Sequence, residues 1–141
     1  MIAYVDASVL LRLVLSQPDA LREWPKVERG VASALVATES LRTLDRLRLR
    51  ARLPDAELAR RRAKALEILS SLHTVDVDSV VLDRAAQPMP TELGTLDAIH
   101  LATALLWRDT TDADLTMATH DAALATAAMA HGLPVVGAPT G

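Results

Sequence analysis

The sequence predicts an α/β fold, a central parallel sheet of about five strands flanked by helices in a layered sandwich. Two observations lead there. Short apolar, β-prone runs alternate with longer helix-periodic segments along the whole chain, and that alternation calls for parallel strands joined by helical crossovers. The chain has 141 residues, half of them apolar, enough to build one hydrophobic core without disulfides or metals, so residues 1–141 are expected to form one domain. No internal repeat or flexible linker interrupts the pattern.

The elements follow in order. "IAYV", residues 2–5, reads as a buried strand, and "SVLLRLVL", 8–15, as a helix. "DALREWPKVERG", 19–30, reads as a helix interrupted at Pro25 and stopped at Gly30. "VASA", 31–34, is a weak strand. In "VATESLRTLDRLRLR", 36–50, Ala37, Leu41 and Leu44 fall at helical spacing. Leu53-Pro54 breaks that helix, and Asp55 and Glu57 suit the first turn of the next, which reaches about Leu72. "TVDV", 74–77, is a strand, Asp78 caps a helix over 79–87, and "PMPTELG", 88–94, is a loop. Thr95 is the expected cap of a helix ending near Arg108. "LTMAT", 115–119, is a strand; Asp121 to His131 is helical and closed by Gly132; "PVVG" is the last strand.

Composition narrows the chemistry. Without cysteine there is no thiolate nucleophile, no thiolate metal site and no disulfide. The opening stretch lacks a basic region and is interrupted by Asp6, so it is not expected to be a signal peptide, and no apolar run is long enough for a membrane span. The default expectation is a cytoplasmic protein with no membrane partner. Net charge is −3, but residues 42–64 hold nine basic side chains against three acids, a local +6 that leaves −9 elsewhere. A basic flank of this kind fits phosphate binding, or equally a solvated helical face. The only aromatics are Tyr4, Trp24 and Trp107, which removes the stacking platforms of single-strand readers.

Four acids stand where a parallel sheet puts its ligands, beyond the carboxyl ends of strands or in the helix turns that follow. They are Asp6, Glu39, Asp97 and Asp121. Each alone is explained as a helix cap or a partner of the helix dipole. Together they repel, which makes them a poor structural choice and a reasonable nest for a hard cation, Mg²⁺ or Mn²⁺, that prefers carboxylate oxygen and water.

"AYVDASVLLRL", "VASALVATESLRTL", "GTLDAIHLATAL" and "MATHDAALATAAMAHGLPVV" resemble the four sequence blocks of PIN-domain ribonucleases, most nearly the VapC-type toxins of toxin–antitoxin pairs. The resemblance runs through essentially the whole chain. It implies a PIN-like three-layer sandwich and a metal-dependent endoribonuclease, with Mg²⁺ or Mn²⁺ as cofactor, RNA as substrate and products ending in 5′-phosphate and 3′-hydroxyl. It also implies neutralisation by a cognate antitoxin, and a homodimer. Asp6, Glu39 and Asp97 match the family's three core acids and Asp121 the fourth; Ser8 and Thr119 match its supporting hydroxyls. "WRDTTDADL" adds residues before the fourth block, so Asp112 and Asp114 stand beside Asp121 as candidates for that fourth acid.

On the Glu39 helix, Arg42 and Arg46 lie at i+3 and i+7, near the face of the acid, and are the candidates for RNA backbone contact. His100, one turn from Asp97, reads first as a core residue; His120, beside Asp121, is the histidine to probe. The competing enzyme folds, dehalogenase-like and receiver domains, are disfavoured by Ser8 in place of a second Asp and by having only Lys26 and Lys64 as lysines. The non-enzyme alternative is a catalytically quiet PIN-like binding scaffold.

Overall fold

The structure is a computed structural model that describes residues 1–139. Strands β1 (Ile2–Val5), β2 (Arg29–Ser33), β3 (His73–Val75), β4 (Leu115–Ala118) and β5 (Val135–Val136) form one sheet in the order β3-β2-β1-β4-β5, every pair parallel. Helices α1 (Ala7–Val14), α2 (Leu35–Ala51), α3 (Asp55–Ser71), α4 (Ser79–Ala85), α5 (Thr95–Thr111) and α6 (Ala122–Ala130) make the connections.

Period-two alternation in β1 sorts the layers. Tyr4 packs with Leu101, Leu105 and Leu124 of α5 and α6, whereas Ala3 and Val5 turn to the other face with Val9 and Leu21. On that face Ala32 meets Leu10, Leu44 and Ile68 of α1, α2 and α3. Helix α4 lies outside α5, joined through Val81, Ile99 and Ala102. The expected three-layer sandwich is therefore present.

Strand order fixes the site. From β1 the chain moves outward to β2 and β3, then returns to lay β4 against the other side of β1. The carboxyl ends of β1 and β4 thus flank the point where the winding reverses, which is where open α/β sheets leave a crevice. Val5 pairs with Ala118, so Asp6 and Thr119 come next, side by side.

Three expectations are corrected. Residues 19–30 form no helix: a single 3₁₀ turn spans Trp24–Lys26. Leu21, 4% exposed, plugs the core beneath Val5 and Ala118, and that packing outweighs local helical preference. Gly30 does not stop a helix but lies inside β2, where a Cβ would stand 2.5 Å from Leu72 Cδ2. At α5, Gly94 rather than Thr95 takes the cap position, and the helix continues past Arg108 to Thr111, ending on Asp112 in the left-handed conformation at φ 52°.

Candidate functional site

Asp6 leaves the end of β1 and caps α1, so one residue serves two purposes. Its Oδ1 accepts from Val9 N at 3.2 Å and from Ser8 Oγ at 2.5 Å; its Oδ2 accepts from Thr119 Oγ1 at 2.5 Å. At 5% exposure it is nearly enclosed. The hydroxyls also tie β1 to β4. Ser8 Oγ accepts from His120 N at 3.1 Å, and Thr119 Oγ1 from Asp121 N at 3.0 Å. Asp121, exposed, repeats the capping geometry at α6 by accepting from Leu124 N at 2.8 Å. The sequence-predicted Ser8 and Thr119 are thus brought onto Asp6.

Glu39 lies in the second turn of α2, half-buried, with Oε1 at 2.6 Å from His100 Nε2. His100 Nδ1 in turn lies 2.7 Å from Tyr4 Oη. Burial holds the Tyr4 phenol well above its ordinary range. Neither Tyr4 nor the contact between His100 and Glu39 follows from sequence spacing alone. The available signal was the helical register that puts His100 one turn from Asp97 on the same face.

Asp97 differs from the other three acids. Standing half-buried in the first turn of α5, it has no hydrogen-bond donor among the described residues. Burial first, and then the charge of Asp121, hold its carboxyl above the usual range, with Asp6 and Glu39 adding to the same effect. The other three predicted acids therefore all bear on Asp97. Among the described residues no three of the acidic or imidazole side chains form a ready-made metal cage. Asp6, Glu39 and Asp121 each accept from protein donors of their own. The donor set, four carboxylates and no sulfur, nevertheless suits a hard dication.

The remaining candidates separate. Asp112 and Asp114 precede β4, at the opposite end of the strand from Asp121, and do not contribute to the field at Asp97. Arg42 is exposed and reaches Asp45 at 3.2 Å. Arg46 donates to Thr43 Oγ1 at 3.0 Å, and Thr43 donates to the Glu39 carbonyl. His120 turns away from the acids, its Nδ1 donating to the Gly137 carbonyl at 2.7 Å.

The chain is similar to several known proteins. The PIN domain family model matches residues 3–116, a span that includes Asp6, Glu39 and Asp97. Ribonuclease VapC46 of Mycobacterium tuberculosis is 39% identical over 104 residues, 72% of each chain. Among solved structures, a chain of the FitAB complex bound to an IR36 DNA fragment superposes with a TM-score of 0.68 at 19% identity, covering 96% of this chain and 93% of its own. A chain of Rickettsia felis VapBC2, bound to a DNA fragment from its promoter, gives 0.62 at 13% identity, covering 96% and 97%. PAE2754 from Pyrobaculum aerophilum gives 0.61 at 20%, covering 94% and 82%. At these identities the structural likeness is one of fold.

Proposed function

The chain belongs to the PIN domain family, and on that premise we propose that it is a divalent-metal-dependent endoribonuclease of the VapC toxin type. In this reading a cognate antitoxin neutralises it, and it acts as a homodimer. The observation that carries the proposal is the Asp97 carboxyl, without a donor among the described residues, raised above its ordinary range beside three other acids at the reversal point of the sheet. A carboxyl whose ionised form is disfavoured by burial and by neighbouring acids supports a catalytic role over a structural one.

Asp6, Glu39, Asp97 and Asp121 would hold Mg²⁺, or Mn²⁺, directly or through water. When bound, such an ion supplies positive charge to the phosphodiester and acidifies a water. The rest is done by the chain. Ser8 and Thr119 hold Asp6 in one rotamer, at the cost of three donors spent on one carboxylate. Asp121 is held by the first turn of α6. Arg42 and Arg46 are the proposed contacts for RNA phosphates flanking the cut bond.

Purified protein free of antitoxin should cut RNA with added Mg²⁺ or Mn²⁺ and stop in excess chelator, leaving ends with 5′-phosphate and 3′-hydroxyl. Cleavage undiminished by chelator overturns the proposal.

A further inference from the structure

A directed line of buried polar groups runs from the backbone of β2 to Glu39. Ser33 N–H donates to Tyr4 Oη at 3.2 Å; Tyr4 Oη lies 2.7 Å from His100 Nδ1; His100 Nε2 lies 2.6 Å from Glu39 Oε1. Tyr4 is fully buried and His100 is 1% exposed. A phenol has one proton to donate. Its oxygen accepts from Ser33, and its proton has His100 Nδ1 within reach as an acceptor. Nδ1 then accepts, which leaves an Nε2 proton aimed at Glu39.

We propose that Tyr4 and His100 are positioning residues for Glu39: Tyr4 fixes the tautomer of His100, and His100 fixes one oxygen of the carboxylate. Only Oε1 is occupied in this way. Oε2 accepts no hydrogen bond among the described residues, so the line pins one oxygen and leaves its twin to the acidic cluster. Hydrocarbon side chains would fill the space of His100 and Tyr4 without the cost of burying polar atoms. The polar line is useful because it ends on a partly exposed carboxylate, 21% exposed, at the rim of the site. The inference rests on the reading of Glu39 as one of the metal-holding acids.

The test uses the whole chain, chelator-treated, with Mn²⁺ alone as the probe. Nitrogen-15 NMR of labelled histidine should find His100 bare at Nδ1 and protonated at Nε2; a proton on Nδ1 overturns the proposal. Tyr4→Phe and His100→Leu should weaken Mn²⁺ binding by about 10-fold or more, the scale of a lost supporting partner. His100→Gln, which keeps an N–H donor, should restore most of the loss, and equal affinity of the glutamine and leucine variants overturns the role. Thermal melts verify folding, and if His100→Leu does not fold, Tyr4→Phe decides. Glu39→Gln separates the two levels. If it loses Mn²⁺ while Tyr4→Phe and His100→Leu bind like the parent, the positioning role alone fails. If Glu39→Gln itself binds like the parent, the reading of Glu39 fails with it.

Discussion

Asp97 opens α5 under two opposing influences. The helix N-terminus favours its ionised form by about 0.3–1 kcal/mol. Burial and the charge of Asp121 disfavour it, and the raised carboxyl says that they win. Its stability consequence has a definite sign. A carboxyl raised in the folded state binds its proton more tightly there than in the unfolded chain, where the value is about 3.9. The native state is favoured below that value, and the advantage is lost as pH rises through the folded one. Metal-free Asp97→Asn should therefore melt higher than the parent at neutral pH, by about 0.5–2 kcal/mol, nearer the lower end because solvent still reaches the side chain. The gap should close as pH falls toward 4. Cleavage should drop to background, and the rise in melting temperature on adding Mg²⁺ should shrink. A variant that melts lower, with cleavage and the Mg²⁺ response intact, would make Asp97 a dipole partner only. The positions of Asp6, Asp97 and Asp121 were legible in sequence because each follows a strand or opens a helix, and that of Glu39 because it lies in the first turns of the helix after β2. The bond from Tyr4 to His100 was not, since it joins residues 96 apart and depends on where β1 lies under α5.

At the scale of elements, one capping motif recurs with different consequences. Asp6, Asp78 and Asp121 each accept a backbone N–H from the third residue of the helix they open. Asparagine caps about as well as aspartate but carries no charge. Asp78→Asn should leave melting temperature and cleavage unchanged, while Asp78→Ala should cost about 1 kcal/mol of stability without touching cleavage. Asp121→Asn should keep its cap, melt no lower than the parent because it also relieves Asp97, and lose cleavage. Retained cleavage in Asp121→Asn would reduce that residue to its cap. Local signals of this kind made most elements readable: α2, α3, α4 and α6 lie within a few residues of their expected positions. The segment 19–30 was misread because its fate is settled at long range. Leu21 is held under the sheet, and the Met1 carbonyl accepts from Glu28 N at 2.9 Å, starting the pairing of β2 with β1. Helical composition gave no hint of either contact.

Over the whole molecule, strand alternation announced the layers but not the strand order, because the return from β3 to β4 is set by packing between distant segments. The charge distribution also changes meaning once side chains are placed. Four of the nine basic side chains in residues 42–64 are paired within the segment: Asp45 meets Arg42 and Arg48, and Glu57 meets Arg60 and Arg61. Both acids are held below their usual carboxylate range by these hydrogen bonds, so they stay ionised and the excess of +6 is carried unevenly along the segment. RNA attraction should then depend on particular arginines near the acids rather than on the basic segment as a whole. Arg42 and Arg46 lie one and two turns beyond Glu39 on α2, about 5 and 10 Å along its axis. Arg42→Ala with Arg46→Ala should flatten the salt dependence of RNA binding by about 0.7 per lost phosphate contact. Stability should change by about 1 kcal/mol or less, since exposed ion pairs contribute little and Asp45 keeps Arg48. The control is Arg60→Ala with Arg62→Ala on α3, which removes the same charge from the same segment. If binding follows net charge alone, both double variants flatten the slope equally, and Arg42 and Arg46 lose their special place. If phosphates are met beside the acids, only the α2 pair does so, and the α3 pair leaves the slope of the parent.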